Sequence, residues 1–443
     1  MNGPALIRPA ALPPPANTDA GAGRPEQRAA DARPPILVGR VEVHDNSTAG
    51  FRDITVSPEF TAARLLVTVN GVAVGQAVVP LTGGRATAHT ARATVMAELG
   101  AEIARAAAPL PAVTTPITVV VPTRGRADSL GRCLRSLLRS AHIRLTVIVV
   151  DNDPDDDRTT QVVRSMGDER LSYVSEARRG TSAARNRGLA EAAARGAEFV
   201  AFVDDDVEVD PSWAGRMAAA LSKPGVACVS GPVLAAELAT PAQIAADEAL
   251  GWRKDFARRR FSLAEPPPES AIFPFSPGLF GVGANTAVRT EAAMEIGGFD
   301  IALGPGTRAR GGEDCDFMVR LVLAGHTLAY EPSAYAWHHH RPTMAELENQ
   351  MHGYSLGLGG FLTKIMLDPT ARAAALRRLP AAARQLARIR TREAVADGPC
   401  ASGAGKALAL AAGARAYLAG RRGAGTAETD RGPADRPSAR LGT

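Results

Sequence analysis

Strands that are apolar along their whole length alternate with amphipathic helices from residue 117 onward, and this pattern constrains the fold most. Ile117–Val121, Leu145–Val150 and Phe199–Val203 are almost uninterrupted apolar segments. Residues at the spacing of one helix face lie between the first two: Leu130, Cys133, Leu134, Leu137 and Leu138. Strands without polar alternation are buried on both faces, as in parallel sheets covered by helices. The sequence therefore predicts an α/β fold with a mixed, mostly parallel sheet flanked by helices.

Polar and charged groups directly follow the predicted strands. They are Pro122, Thr123 and Arg124 after the first, Asp151 after the second, and Asp204, Asp205 and Asp206 after the third. Ligands bind at the carboxyl ends of strands in such sheets. Guanidinium groups suit a diphosphate, and carboxylate oxygens suit Mg²⁺ or Mn²⁺. An isolated Asp cluster is more often a solvated turn or a helix cap, but the apolar strand directly before this one favours a ligand site.

Two later motifs carry further chemical groups. In Gly311-Gly312-Glu313-Asp314 the glycines permit close backbone approach and a carboxylate can serve as a general base. The alternative is that Asp314 and Asp316 cap the following helix. Three histidines at 338–340 follow Trp337, and imidazole suits Mn²⁺ better than Mg²⁺. The alternative for these histidines is a loop without chemical function.

Eight short motifs occur in one order between residues 117 and 345. They are VVVPTRGR (119–126), VIVVDND (147–153), RRGTSAARNRG (178–188), FVDDD (202–206), GANTAVRTE (283–291), GGFD (297–300), GGEDCDF (311–317) and WHHH (337–340). Together they resemble glycosyltransferase family 2, whose catalytic domain has the GT-A nucleotide-sugar-binding fold. The resemblance covers about half of the chain and essentially none of its first hundred residues.

The resemblance implies a role for each matching residue. The residues expected to bind the nucleotide sugar are Pro122, Thr123 and Arg124 in the nucleotide pocket, Asp151 at the base, Arg185 and Asn186 closing over the nucleotide, Asp204 near the ribose, Asp205 beside it, and Gly283 and Asn285 facing the donor sugar or the acceptor. Asp206 and His338 would hold Mn²⁺ or Mg²⁺. Asp314 is the favoured base, with Glu313 contacting acceptor or donor sugar, although the assignment between these two carboxylates stays open. Asp205 is also compatible with a purely structural role.

The implied activity is transfer of a sugar from a nucleoside-diphosphate donor, of the UDP or dTDP type, to an acceptor hydroxyl with inversion. A divalent cation would stabilise the departing diphosphate. One alternative is a sugar-phosphate nucleotidyltransferase, although the Gly-rich activation loop of that class is missing after the first strand. Another is a non-catalytic protein that binds a carbohydrate or a partner. A P-loop kinase is unsupported because no GxxxxGK[ST] motif is present.

The remaining segments suggest further units. We expect disordered tails at residues 1–34 and 420–443, a small α+β module at 35–108, a linker at 109–116, the GT-A domain at 117–345 and a helical C-terminal region at 346–419. In the small module, Asn70-Gly71 between two apolar segments predicts a tight hairpin. Val95, Leu99 and Ile103 then predict one face of a helix.

Composition gives the expected location and partners. The net charge is +5 and the pI about 9.3, which suits anionic ligands or an anionic membrane surface. No signal segment or uninterrupted spanning segment is recognisable, and the four cysteines are expected to be reduced. We expect a cytoplasmic protein, with peripheral contact at the inner face of the membrane as an additional option. The expected partners are a nucleotide sugar and an acceptor that is a lipid-linked glycan, a peptide or a small molecule, with no nucleic acid.

Overall fold

The computed structural model describes residues 33–44, 50–106, 108–111, 113–251, 256–276, 278–378, 380 and 403–428. The strands in these ranges are β1 (Ile36–Val43), β2 (Ile54–Thr55), β3 (Ala62–Val69), β4 (Val72–Pro80), β5 (Arg85–Ala86), β6 (Ile117–Thr123), β7 (Leu145–Asn152), β8 (Leu171–Glu176), β9 (Phe199–Val203), β10 (Val207–Val209), β11 (Val226–Ser230), β12 (Val233–Ala235), β13 (Arg259–Phe261), β14 (Asn285–Arg289), β15 (Thr327–Tyr330) and β16 (Ala336–His338). The helices are α1 (Ala88–Ala104), α2 (Ala127–Leu138), α3 (Arg158–Met166), α4 (Thr181–Ala194), α5 (Trp213–Leu221), α6 (Pro241–Leu250), α7 (Thr290–Glu295), α8 (Glu313–Leu323), α9 (Met344–Leu367), α10 (Pro369–Leu376) and α11 (Gly403–Glu428).

An eight-stranded sheet forms the centre of the protein, in the order β13-β15-β11-β14-β9-β6-β7-β8. Strands β9, β6, β7 and β8 are parallel, whereas β14 runs antiparallel between β9 and β11. On β6, Val119 joins the cluster that contains Leu134 of α2, and Val120 joins the cluster that contains Leu189 of α4. Both faces of the strand are buried, so the expected mixed, mostly parallel sheet flanked by helices is confirmed.

A second, three-stranded sheet of order β10-β16-β12 lies beside the acidic triplet. Strand β10 begins directly after Asp206 and pairs antiparallel with β16, so that Val207 is opposite His338. On its other side β16 pairs in parallel with β12. This small sheet brings the histidine segment to the acidic triplet from more than a hundred residues away.

The elements β1 to β5 and α1, which we name the N-terminal module, form a sheet of order β1-β3-β4 covered by a helix. The hairpin expected at Asn70-Gly71 is confirmed, with φ of 50° and 72° at the two turn residues. One sheet face packs against Ala91 and Val95 of α1. The other face packs against the elements from β6 onward, which we name the main body.

The C-terminal region contains the long helix α9, which continues without a break through the glycine-rich residues 357–360. Glycine is unfavourable inside helices, but here it permits close packing. A Cβ at Gly357 would lie 2.5 Å from the Gly311 carbonyl carbon, and one at Gly359 would overlap the backbone of Leu410 in α11. The tail expected from residue 420 also differs, because α11 extends to Glu428 and packs at Gly420 against Ala302.

None of the helices in the described ranges is long and apolar enough to cross a membrane.

Candidate active site

A cleft of about 950 Å³ opens at the carboxyl ends of the central strands. Its walls come from the ends of β6 and β9, the first turns of α4 and α8, and one face of α9. The predicted site residues that line it are Pro122, Thr123, Arg124, Arg185, Asp204, Asp205, Asp206, Gly283, Glu313, Asp314 and His338. Most of the residues selected from separate sequence motifs are therefore brought to one cavity.

Asp206 lies among three side chains that carry or can carry positive charge. Its carboxylate accepts hydrogen bonds from Arg126 at 2.9 Å and Arg341 at 3.3 Å, and its other oxygen lies 3.4 Å from Nε2 of His338. Burial opposes the charge of Asp206, but His338, Arg126 and Arg341 outweigh burial and hold the pKa of this carboxyl below its usual range. These three groups therefore favour the charged form of Asp206, which faces His338 directly.

Asp205 is held by its neighbours rather than presented freely to the cleft. It accepts hydrogen bonds from the Thr123 hydroxyl at 2.7 Å and from Arg126 at 3.0 Å. Burial, reinforced by the adjacent Asp206, raises the pKa of Asp205. The Thr123 contact ties the end of β6 to the end of β9, which is the structural role that the sequence left open for Asp205.

Arg185 of α4 joins the acidic triplet to the Glu-Asp motif. Its guanidinium donates to Asp204 at 2.7 Å and to Glu313 at 3.0 Å, and it lies over the ring of Phe299 at 5.4 Å. The side chain is only 2% exposed, whereas that of Asp204 is 33% exposed. Charge-assisted bonds of this kind are strong and directional. Arg185 thus fixes the distance between two motifs that are more than a hundred residues apart.

The two carboxylates of the Glu-Asp motif have different surroundings. Burial and the neighbouring Asp314 raise the pKa of Glu313 to about 7, against the opposing effect of Arg185. Asp314 is only partly buried, and its Oδ2 accepts a hydrogen bond from the Gly283 amide at 3.0 Å. No side chain caps α8 at Gly312, and Asp316 pairs with Arg320 and Lys364 at 2.8 Å. Asp314 is thus the carboxylate of this motif that is more open to the cleft.

Three predicted site residues do not line the cleft, which corrects the expected positions. The Asp151 side chain does not line the cleft and accepts a hydrogen bond from the Tyr173 hydroxyl at 3.1 Å. The next residue of β7, Asn152, lines the cleft. Asn186 bonds both the amide and the carbonyl of Phe299. Asn285 is fully buried, and its side-chain amide accepts a hydrogen bond from Trp213 and donates hydrogen bonds to two main-chain carbonyls. These side chains hold the walls of the site in place.

The cleft wall formed by α9 lies outside the eight sequence motifs. Glu346, Asn349, Gln350, Gly353 and Tyr354 line the cleft from one side of this helix. Their spacing of three and four residues is the signal of a single helix face, but it does not indicate what the face contacts. Arg341 was also missed, although it follows the three histidines directly.

Two of the groups are suited to hold a cation together with a ligand. Within the part of the chain that the structure describes, no group of three or more His, Cys, Asp and Glu side chains is arranged as a complete metal site. Asp206 and His338 nevertheless face each other at the cleft. Mg²⁺ and similar ions are commonly bound by one or two protein side chains plus substrate phosphates and water. The pair therefore fits a cation whose remaining ligands come with a diphosphate.

Comparisons with known proteins agree on one family. The sequence model described as Glycosyl transferase family 2 matches residues 118–296. Over 236 residues the chain is 31% identical to pre-mycofactocin glycosyltransferase of Mycobacterium tuberculosis, covering 52% of this chain and 44% of that protein. It is 30% identical to the succinoglycan biosynthesis protein ExoM of Rhizobium meliloti, covering 51% of this chain and 67% of that protein. The chain thus spans less than half the length of the mycobacterial relative.

Two solved structures align with the chain at low sequence identity. A mannosyltransferase from Pyrobaculum calidifontis, in complex with GDP-Man and Mn²⁺, aligns with a TM-score of 0.47 at 20% identity, covering 71% of this chain and 90% of that chain. Residues 1–349 of TarS from S. aureus, in complex with UDP, align with a TM-score of 0.39 at 17% identity, covering 58% and 73%.

Proposed function

The chain belongs to glycosyltransferase family 2 and is a glycosyltransferase, and we propose that it transfers a sugar from a nucleoside diphosphate of the UDP or dTDP type to an acceptor hydroxyl, with inversion and with a bound divalent cation. One observation supports this most: a single cleft is lined by Asp206, His338 and Asp314. Arg185 links the acidic triplet to the Glu-Asp motif. The site residues therefore divide into a donor side and an acceptor side.

The donor side is formed by the strand ends. Arg124, Arg126 and Arg341 supply guanidinium groups for a diphosphate, and the partly exposed Asp204 is placed to accept from ribose hydroxyls. Asp206 and His338 would hold the cation, Mn²⁺ or Mg²⁺. When bound, the cation would stabilise the negative charge that develops on the departing diphosphate.

On the acceptor side, Asp314 is the proposed base. The Gly283 amide holds one carboxylate oxygen, and the carboxylate takes the proton of the acceptor hydroxyl. The acceptor oxygen then bonds to the anomeric carbon as the bond from that carbon to the diphosphate oxygen breaks. Attack on the face opposite to the leaving group inverts the anomeric centre. Glu313, fixed by Arg185, keeps the first turn of α8 in register with the acidic triplet.

The acceptor is expected to lie against α9. This helix closes the cleft beside Asp314, and Leu358 at the cleft edge begins an exposed apolar row that continues with Leu362 and Met366. We propose an acceptor with an apolar portion, such as a lipid-linked glycan, and peripheral contact with a membrane that carries it.

The domain boundaries are also part of this proposal: the N-terminal module ends at residue 108, and the GT-A domain spans residues 117–345.

Asp314→Asn tests the assigned base. We expect kcat for sugar transfer to fall by about a hundredfold or more, because general-base catalysis contributes that much, while donor binding is retained. Asp128→Asn, the same exchange in the first turn of α2 but outside the cleft, is the matched control. Near-normal transfer by a folded Asp314→Asn enzyme would refute the assignment. Release of pyrophosphate from a nucleoside triphosphate would instead indicate a nucleotidyltransferase.

A further inference from the structure

The proposed cation ligands lie at one end of a very short strand pair. Asp206 immediately precedes β10 and His338 is the last residue of β16, and the two strands pair over only three residues. Asp210 and Tyr335 lie just beyond the opposite end of this pair, because Val209 is opposite Ala336. The separation of Asp206 and His338 therefore depends on how firmly this three-residue ladder is held.

A residue of the N-terminal module fastens the far end of the ladder. Arg40 of β1 forms an ion pair with Asp210 and donates to the Tyr335 hydroxyl at 2.8 Å. That hydroxyl donates in turn to Asp210 at 2.9 Å, which closes a ring of three side chains. The Asp210 side chain is only 7% exposed. The contact thus joins both strands of the ladder to a third strand from outside the main body.

The sheet of the module presents one face to β16. Side chains alternate between the two faces of a strand, so that Leu37 and Val41 point toward α1 while Val38 packs with Tyr335 and Trp337. Leu66 of β3 belongs to the same cluster. Trp337 is the residue directly before His338, so the module packs against the strand segment that presents the histidine.

The main chain and a second arginine reinforce this docking. The amide of Ile36 donates to the carbonyl of Leu238 at 2.9 Å, which adds a bridge between β1 and the segment after β12. Arg216 of α5 donates to the carbonyl of Ser333 and reaches the module at the Gly71 turn. The Arg216 contact holds the segment that leads into β16, and the Ile36 contact holds the segment after β12, the neighbour of β16.

We propose that the N-terminal module positions His338 relative to Asp206, and that Arg40 is the positioning residue. The proposal rests on the cation site of the proposed function. The pairing of β10 with β16 extends over only three residues, whereas a metal site requires its ligands to be placed within about half an ångström. Fastening the ladder at Asp210 and Tyr335 restricts the motion of its other end, where the two ligands lie.

Arg40→Met tests this role, with Arg64→Met as the matched control. Arg64 also forms an ion pair between the module and the main body, and its side chain is less exposed than that of Arg40, at 10% against 27%, but its partner Asp247 lies on α6 and not on the ladder. The full chain is titrated with Mn²⁺ by calorimetry, in the presence of whichever of UDP, dTDP or GDP raises the thermal midpoint of the wild type most. We expect Arg40→Met to weaken Mn²⁺ binding by about tenfold or more, as removal of groups that orient metal ligands does, and Arg64→Met to leave it within about twofold.

Tyr335→Phe is the second variant, since it removes the two hydrogen bonds of the hydroxyl but keeps the Arg40–Asp210 ion pair and the aromatic packing. It should weaken Mn²⁺ binding in the same direction even if Arg40→Met does not fold. Folded variants at Arg40 and Tyr335 that bind Mn²⁺ as the wild type does would overturn the positioning role alone. A wild type that binds no Mn²⁺ with any of the three nucleotides would overturn both this role and the cation site.

Discussion

At the scale of single residues, the two neighbouring carboxylates Glu313 and Asp314 differ in burial and in their hydrogen-bond partners. Both line the cleft, but Glu313 is 6% exposed and bound by Arg185, whereas Asp314 is only partly buried. A buried carboxyl resists ionisation because its charge loses the solvation of water. The same dipeptide therefore supplies one buried group that is bonded to Arg185 and one partly exposed group, which is the proposed base.

The raised pKa of Glu313 predicts a pH dependence of stability. Its pKa is near 4.5 in the unfolded chain and about 7 in the folded chain, so the folded state binds more protons between these values. The contribution of Glu313 to stability must then fall as the pH rises through this window, by at most about 3 kcal/mol. Asp204, Asp314 and Arg185 are the charged groups that act on it.

Glu313→Gln should remove this fall. The measurement is the free energy of unfolding by denaturant at pH 5 and pH 8, compared within each variant. Glu291→Gln, at an exposed glutamate in the first turn of α7, serves as the control and should keep the wild-type difference between the two pH values. An unchanged difference in Glu313→Gln would show that another group is responsible.

At the scale of elements, the contact between α9 and the Gly311-Gly312 loop determines where the Glu-Asp motif lies. Gly357 of α9 packs directly on this loop, and an added Cβ would meet three backbone atoms at 2.5 to 2.8 Å. Backbone atoms cannot move aside as a flexible side chain can. The helix and the loop that leads into α8 therefore have to separate if Gly357 acquires a side chain.

Gly357→Ala should consequently destabilise the protein by about 1–3 kcal/mol, as overpacking does, although alanine is intrinsically the better helix former. Gly100→Ala in α1 is the matched control, since its Cβ would meet nothing closer than a methionine methyl at 3.9 Å. That control should be neutral or stabilising by up to about 1 kcal/mol. Thermal unfolding of both variants checks the sign, and a stabilised Gly357→Ala would contradict the close contact.

At the scale of the whole molecule, the cleft is assembled from segments throughout the main body and is supported by the module. A ligand that binds only the folded cleft must stabilise the entire chain by mass action. We expect Mn²⁺ with a suitable nucleoside diphosphate at a hundredfold excess over Kd to contribute about 2.7 kcal/mol. This should appear as a rise of several degrees in the thermal midpoint.

Removal of the cation by EDTA should reverse that rise, and Asp206→Asn should lack it. Asp153→Asn is the control, because Asp153 is an exposed aspartate near the cleft that pairs with Arg124 but does not contact Asp206 in the structure. If Mn²⁺ stabilised the wild type and Asp206→Asn equally, Asp206 would not be a ligand of the cation.

The sequence by itself determined the sheet class and most of the residues at the cleft. The physical reason is local: fully apolar strands such as Phe199–Val203 must be buried on both faces, and the residues that follow them emerge at one sheet edge. The placement of Thr123, Asp206, Asp314 and His338 in one cavity follows from that rule together with the family resemblance.

Only the tertiary structure decided which of the matching residues face the cavity and which support it. Whether Asp151 or Asn152 lines the cleft depends on strand register. The side-chain amide of Asn285 is buried and forms hydrogen bonds with Trp213 and two distant main-chain carbonyls. Likewise, the role of Arg40 depends on a partner that is 170 residues away along the chain. Hydrogen-bond partners so remote in sequence leave no local pattern, because they are chosen by packing and not by spacing.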